Sequence, residues 1–182
     1  MLQEIADILR DKLWTPSMVE RFDEKVVLAN GAYEAGDVVS ENISIATGAK
    51  PWIFRDVVRK AGGAGIIHDA LILAQTTAIA SVFSLFLHKG RPTCELGDGV
   101  ANTAFLLADR GIAVVRIDLT ACDDVGTGMS ESTATPSTYG KLPKAFVCAT
   151  GSRDLQGVLA IHNAVDLADT TILRIILMIE QL

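Results

Sequence analysis

The sequence predicts a mainly β protein: an antiparallel β-sandwich, of the jelly-roll or immunoglobulin-like kind, preceded by a short N-terminal helical arm. Three observations predict it. Short apolar runs rich in β-branched residues recur from residue 24 onward, Gly, Asn and Asp turn signals separate them, and helical periodicity is confined to the first residues. Without helical segments between the runs, an antiparallel sandwich or barrel is favoured over a sheet of βαβ units. The arm is assigned to residues 1–23 and the sandwich to residues 24–182.

The arm is predicted from apolar residues at three- and four-residue steps over residues 2–13. Ser17 and Glu20 have capping-box spacing, which predicts a second, short helical turn to about Phe22. A helix of this length is marginal in water, so its apolar stripe needs a surface, on its own domain or on a neighbouring subunit. The stripe consists of Leu2, Ile5, Leu9 and Leu13.

The β region closes with Thr171–Glu180, which is apolar on both faces apart from Arg174 and Glu180. A strand of this kind is predicted to lie between layers or beneath another subunit, since an uncovered apolar edge invites aggregation. We therefore expect oligomerisation. The other predicted strands are Lys25–Leu28, Asp37–Ser40, Trp52–Val58, Gly65–Leu73, Ala80–His88, Ile112–Leu119, Phe146–Ala149 and Leu155–Ile161. In Ile112–Leu119 the alternation predicts one clearly apolar side, formed by Ala113, Val115, Ile117 and Leu119.

Composition narrows the function classes. The 182 residues carry a net charge of -6, 49% are hydrophobic, and the mean hydropathy is +0.34. The hydrophobic content excludes disorder, and the acidic balance argues against binding nucleic acid or an anionic membrane. The uncharged stretch Leu71–Leu87 contains polar residues and is short for a membrane span. We interpret it as two strands joined at residues 75–77.

No catalytic residue, metal site or cofactor is expected. The histidines, His68, His88 and His162, have no metal-ligand spacing, and Cys94, Cys122 and Cys148 lack a C-x-x-C pair. The thiols are expected to be small buried apolar residues in a protein made in a reducing compartment.

Two further segments, one rich in glycine and one rich in serine and threonine, are possible binding sites. The glycine cluster at residues 62–65 precedes a β-like run, so it predicts a turn or bulge that needs positive φ, not a dinucleotide site. The aperiodic segment Cys122–Pro143 is either a mobile loop or one that a partner orders.

Five short motifs follow one another along the β region. They are AYEAGDVV at residues 32–39, GGAGII at 62–67, LFL at 85–87 with RPT at 91–93, NTAF at 102–105, and GVLAIHNA at 157–164. Their order resembles that in small virion structural proteins of tailed bacteriophages and prophages, over about Asn30 to Leu182. The N-terminal helical stretch and the length of the Cys122–Pro143 loop lie outside the resemblance, and His88 stands where an acidic residue is more usual.

The resemblance implies a β-sandwich capsid decoration or cement protein on the outer shell, at junctions between capsomers, with no catalytic residues. Its partners would be the major capsid protein and itself, with a trimer favoured over a dimer because shells offer threefold sites. It would be made in the host cytoplasm and would lie on the virion surface. The interface candidates are Leu2, Ile5, Leu9, Leu13, Trp14, Tyr139, Ile172, Ile176 and Met178.

Other functions stay open at this point. The protein could belong to the phage tail or neck, or be a glycan-binding host-attachment module, which would require aromatics such as Trp14, Trp52 and Tyr139 at one site. A small hydrolase would require Cys122 or Ser130 beside a histidine.

Overall fold

A computed structural model describes residues 16–27, 32–42, 48–77, 79–134, 141–167 and 171–182. These residues form antiparallel strands and one 3-10 helix, Leu107–Asp109. The strands are β1 (Ser17–Val26), β2 (Ala32–Tyr33), β3 (Val38–Val39), β4 (Trp52–Phe54), β5 (Ala64–Ala74), β6 (Val82–His88), β7 (Ala113–Ala121), β8 (Asp123–Asp124), β9 (Ser130–Thr133), β10 (Lys144–Val147), β11 (Leu155–Ile161), β12 (Val165–Asp166) and β13 (Ile172–Gln181).

The strands assemble into two larger sheets. Sheet I has the order β1-β13-β5-β9-β8, and β10 pairs with the first part of β5. Sheet II has the order β3-β11-β6-β7, and β4 also pairs with β11. A two-stranded ribbon joins β12 to β2. Strands distant in sequence are therefore neighbours in both sheets.

One hydrophobic core lies between the inward faces of the two sheets. In β7 the alternation predicted from the sequence is confirmed, since Val115, Ile117 and Leu119 are all buried in this core. The same period of two buries alternate residues of β13 from the other sheet. Those residues are Leu173, Ile175, Leu177 and Ile179.

The prediction of a second helical turn is wrong, because residues 17–22 belong to β1. This strand pairs antiparallel with β13 from Ser17↔Gln181 to Val26↔Ile172. The capping-box spacing is a local signal, and a continuous ladder against a central strand outweighs it. The strand also crosses the predicted boundary at residue 23. The predicted helix over residues 2–13 lies outside the described residues.

Each predicted strand overlaps an observed one, whereas the short strands β2, β8, β9 and β12 were not predicted. The β8–β9 hairpin falls inside the segment Cys122–Pro143, so part of that segment belongs to sheet I. The final strand, β13, lies between β1 and β5 and is not an edge. The edge strand on that side of the sheet is β1.

Several smaller expectations are confirmed. Gly62 adopts φ +72°, which explains the glycine at that turn. The stretch Leu71–Leu87 contains the end of β5 and most of β6, and within the described ranges no helix is long and apolar enough to cross a bilayer. All three cysteines are free; Cys94 and Cys148 are buried and Cys122 is half-buried.

Candidate interaction surface

The outward side of sheet I carries a row of apolar side chains that we call the open face. Residues opposite each other in an antiparallel ladder point to the same side of the sheet. In β1 and β13 the apolar cross-strand pairs on this side are Phe22↔Ile176 and Val26↔Ile172, and Leu71 of β5 lies opposite Ile176. The open face consists of Met18, Phe22, Val26, Leu71, Ile172, Ile176 and Met178.

The large apolar side chains that β1 contributes to the open face are about half exposed to solvent. Phe22 is 53% exposed, Met18 52% and Val26 46%. The open-face residues of β13 are half-buried. Scattered single apolar residues are normal on protein surfaces, but adjacent ones on neighbouring strands form a patch that typically marks an interaction site.

Charged residues alternate with the apolar ones along the same face. Arg174 Nε donates to Glu24 Oε2 at 2.8 Å, and the guanidinium lies 4.9 Å from the centre of the Phe22 ring. At the other end of the face, His68 Nε2 is 2.8 Å from Glu180 Oε2. These groups favour one orientation of a partner over another, because charge complementarity contributes more to specificity than to affinity.

The inward side of β1 is held by polar contacts with the β4 region. Asp23 Oδ2 accepts a 2.8 Å hydrogen bond from Ile53 N, and Arg21 Nε donates to Asp56 O at 2.9 Å. Lys25, which is buried, pairs with Glu41 and lies 5.4 Å from the Trp52 ring centre. The edge strand is thus fixed to sheet II, and its outward side chains are presented on a rigid element.

Three of the nine predicted interface residues lie in the part of the chain that the structure describes. Ile172, Ile176 and Met178 lie together on the open face, on alternate positions of β13. The remaining candidates, Leu2, Ile5, Leu9, Leu13, Trp14 and Tyr139, lie outside the described residues. The sequence-based prediction of the interface does not include Met18, Phe22 and Val26. Glu20 and Glu24 lie between these residues, and the capping-box spacing favours a helix to about Phe22.

The glycan-binding alternative loses one of its aromatics. Trp52 is buried in the core and its indole Nε1 donates to Val39 O at 3.2 Å. A buried ring with its polar atom already paired offers no stacking face to a sugar. An aromatic platform that includes Trp52 is therefore excluded.

Among the described residues, no hydrogen bond joins Cys122 or Ser130 to a histidine that could act as its base. His68 contacts Glu180, and His162 Nε2 lies 2.6 Å from Ser84 Oγ. Burial, with smaller effects from neighbouring groups, raises the pKa of Cys122 to about 11, so its thiolate is scarce at neutral pH. Neither residue shows the chemistry that the hydrolase hypothesis requires.

Ser84 itself does not form a catalytic triad. Its hydroxyl lies between His162 Nε2 and Asp118 Oδ1, the latter at 2.5 Å, and Arg116 Nε is 2.6 Å from the same carboxylate oxygen. In a triad the imidazole lies between the hydroxyl and the carboxylate. Here the serine occupies the middle position, which is typical of a structural polar network.

Potential metal ligands come together elsewhere in the part of the chain that the structure describes. His88, Cys94 and Asp109 form that group, beyond the outward side of sheet II and away from the open face.

Comparison with known proteins adds little. No protein-family model matches the chain, and no curated protein matches it. Among solved structures, a chain titled Desmodium yellow mottle tymovirus is similar, at 16% identity over 91% of this chain and 87% of that chain, with a TM-score of 0.26. At that identity and TM-score the likeness carries no argument about what this chain does.

Proposed function

We propose that this protein is a non-enzymatic virion structural protein, of the capsid decoration type of tailed phages, and that it binds the capsid shell through the open face. The observation that carries the proposal is the apolar row on the outward side of sheet I, on the opposite side from the core. A shell of major capsid proteins is an extended, repeated surface, and many weak identical contacts on it add up to stable attachment.

The strand order supports this class of protein. Eight strands remain when β3 and β4 are counted as one strand, β9 and β10 as another, and the short strands β2, β8 and β12 are left out. Sheet I then contains the first, eighth, third and sixth of these strands. Sheet II contains the second, seventh, fourth and fifth. This is the order of a jelly roll, the double Greek-key architecture found in viral capsid and lectin domains, and it favours the jelly-roll alternative over the immunoglobulin-like one. Because fold does not imply function, the open face remains the principal argument.

Self-association is proposed along β1. This strand is the edge of sheet I, and within the described residues no strand pairs with its outer side. An unpaired edge beside an apolar face favours association with another copy or a partner strand. A homo-oligomer, with a trimer favoured over a dimer, would match the threefold positions of a shell.

The proposal is tested by co-sedimentation with empty shells assembled from the major capsid protein of the phage that encodes this chain. We expect the double variant Phe22→Ser/Ile176→Ser to bind at least roughly tenfold more weakly, as for residues at the centre of an interface. Both side chains face outward, so the fold should be retained, which circular dichroism would verify.

The matched control is Leu107→Ser. Leu107 is 82% exposed and lies in the 3-10 helix, away from the open face. This variant should bind shells like the wild type. Wild-type binding that the double variant leaves unchanged would contradict the role of the open face, and absence of wild-type binding would contradict the function. Sedimentation equilibrium of the protein alone tests self-association, which a clean monomer at high concentration would contradict.

A further inference from the structure

Residues 89–112 connect β6 to β7 and lie over the outward side of sheet II; we call them the cover. The two ends of the cover meet where Lys89 N donates to Ile112 O at 2.8 Å. Beneath it, Phe86 and Val158 of sheet II form a second hydrophobic cluster with Cys94 and Leu96 of the cover. The cover is therefore packed as a layer of the protein.

Three potential metal ligands meet between the cover and sheet II. His88 ends β6, Cys94 lies in the cover, and Asp109 ends the 3-10 helix. One ligand atom from each lies within 4.8 Å of the others, and the three residues are 0%, 1% and 1% exposed. Residues from separate parts of the chain thus converge on one enclosed point.

The imidazole of His88 interacts with the backbone of Phe86 and Gln156, without a hydrogen bond of good geometry. Neither ring nitrogen of His88 makes a well-formed hydrogen bond among the described residues, although the side chain is fully buried. Leaving a buried polar group unsatisfied costs free energy, and such groups in native proteins call for an explanation. Phe105 packs against the imidazole in a T-shaped arrangement, with the ring centres 5.0 Å apart, and this contact helps to hold the imidazole in place.

The carboxylate is held in place by neighbouring donors. Asp109 accepts hydrogen bonds from Thr93 N at 3.0 Å, from Thr93 Oγ1 at 2.9 Å and from Cys94 N at 3.2 Å. Hydrogen bonds of this kind orient the first ligands of metal sites. They also fix Cys94 close to the carboxylate.

We propose that His88, Cys94 and Asp109 bind a divalent transition-metal ion of the zinc class, which fastens the cover to sheet II. A nitrogen, a sulfur and an oxygen donor suit zinc, whereas calcium and magnesium require oxygen ligands. Metal–ligand bonds of about 2.0–2.3 Å place tetrahedral ligand atoms roughly 3.3–3.7 Å apart. The three ligand atoms all lie within 4.8 Å of one another, so side-chain shifts of about 1 Å are enough to reach that range.

A structural ion fits the site better than cysteine catalysis does. A nucleophilic cysteine needs access to its substrate, whereas Cys94 is buried beneath the cover. When zinc binds, the sulfur–metal bond forms as the S–H bond breaks, and the proton leaves to solvent. This site is independent of the proposed capsid binding. The sequence-based expectation of no metal stays a prediction, and the metal titration described next tests it.

The test uses the full chain after treatment with a chelator, titrated with Co²⁺ and with Zn²⁺. We expect one ion per chain and, with cobalt, a sulfur-to-metal charge-transfer band in the near ultraviolet that zinc abolishes. At free zinc 100-fold above its dissociation constant, the melting temperature should rise by roughly 5–10 °C. A titration without stoichiometric binding, or a cobalt complex without that band, would overturn the proposal.

Cysteine variants locate the ion. Cys94→Ser should weaken zinc binding by more than roughly 100-fold, since it removes a first ligand. Cys148→Ser is the matched control, because Cys148 is also buried, at 4% exposed, and lies outside the group. Equal zinc affinity in Cys94→Ser and the wild type would overturn the assignment. If Cys94→Ser does not fold, the cobalt spectrum of the wild type decides the question.

Discussion

The outward faces of the two sheets differ in how much of their apolar surface is buried. On sheet II the outward apolar residues, such as Phe86 and Val158, are buried under the cover. On sheet I the corresponding positions, such as Phe22 and Met18, are about half exposed. Both faces have apolar residues on alternate positions, so alternation alone does not say which face the chain itself covers. In the described part of the chain, sheet I therefore leaves apolar surface exposed to solvent where sheet II does not.

The largest expected effect is on the covered face. Leu96→Ala should lower the free energy of unfolding by roughly 2–5 kcal/mol, because it leaves a cavity in the cluster beneath the cover. Leu96 is 2% exposed and contacts that cluster. Denaturant unfolding measures the change. A loss below about 1 kcal/mol would mean that the cover is loosely packed, and the contrast between the faces would fail.

The next largest effect is on how the free energy of unfolding depends on pH, and it comes from Asp98, a buried residue of the cover. The Asp98 carboxylate is buried, with Tyr33 Oη 2.8 Å from both oxygens and Ser40 N donating to Oδ1 at 2.7 Å. Burial raises the pKa of Asp98 from 3.8 to about 6, and the neighbouring carboxylates Asp37 and Glu41 add to the rise.

Because the folded protein then holds a proton that the unfolded chain releases, this group's contribution to stability falls as pH rises from about 4 to about 6. The expected loss is roughly 2–3 kcal/mol. Unfolding of the wild type and Asp98→Asn across this pH range measures it, since the amide cannot ionise. The difference between the two proteins should change with pH in that window; a constant difference would contradict the raised pKa.

On the open face the expected effect is smaller. Ile176→Ala should cost about 1 kcal/mol or less in the isolated protein, because the side chain is only half-buried and its removal leaves no enclosed cavity. The same substitution should weaken binding to capsid shells more clearly than it weakens folding. A folding cost as large as that of Leu96→Ala would indicate that the face is already covered in the free protein.

The smallest effect should come from the charges of the open face. Arg174 and Glu24 form an ion pair between partly exposed side chains on neighbouring strands. A double-mutant cycle with Arg174→Gln and Glu24→Gln should give a coupling of about 0.2–1 kcal/mol, which decreases at high salt. A coupling well above that range would show that the pair is more shielded from solvent than its exposure indicates.

Much of the fold follows from local patterns. The alternation in β7 identified its buried side, and the turn signals placed most long strands to within a few residues. The prediction from the sequence is wrong at residues 17–22. Capping-box spacing indicates a helix there, whereas pairing with β13 makes these residues a strand. Pairing between residues more than 150 positions apart leaves no local signal. The candidate interface was found only in part for the same reason, since β1 joins the open face through that ladder.

The sequence by itself determined the mainly β class of fold and the two-faced apolar nature of the last strand, because these depend on composition and on a period of two. Only the tertiary structure decided which outward face is covered and that His88, Cys94 and Asp109 meet at one point. The first fact depends on contacts between residues distant in the chain, and the second on how residues 89–112 fold back against the end of β6. Such contacts form when the sheets close around their shared core and the cover folds over one of them.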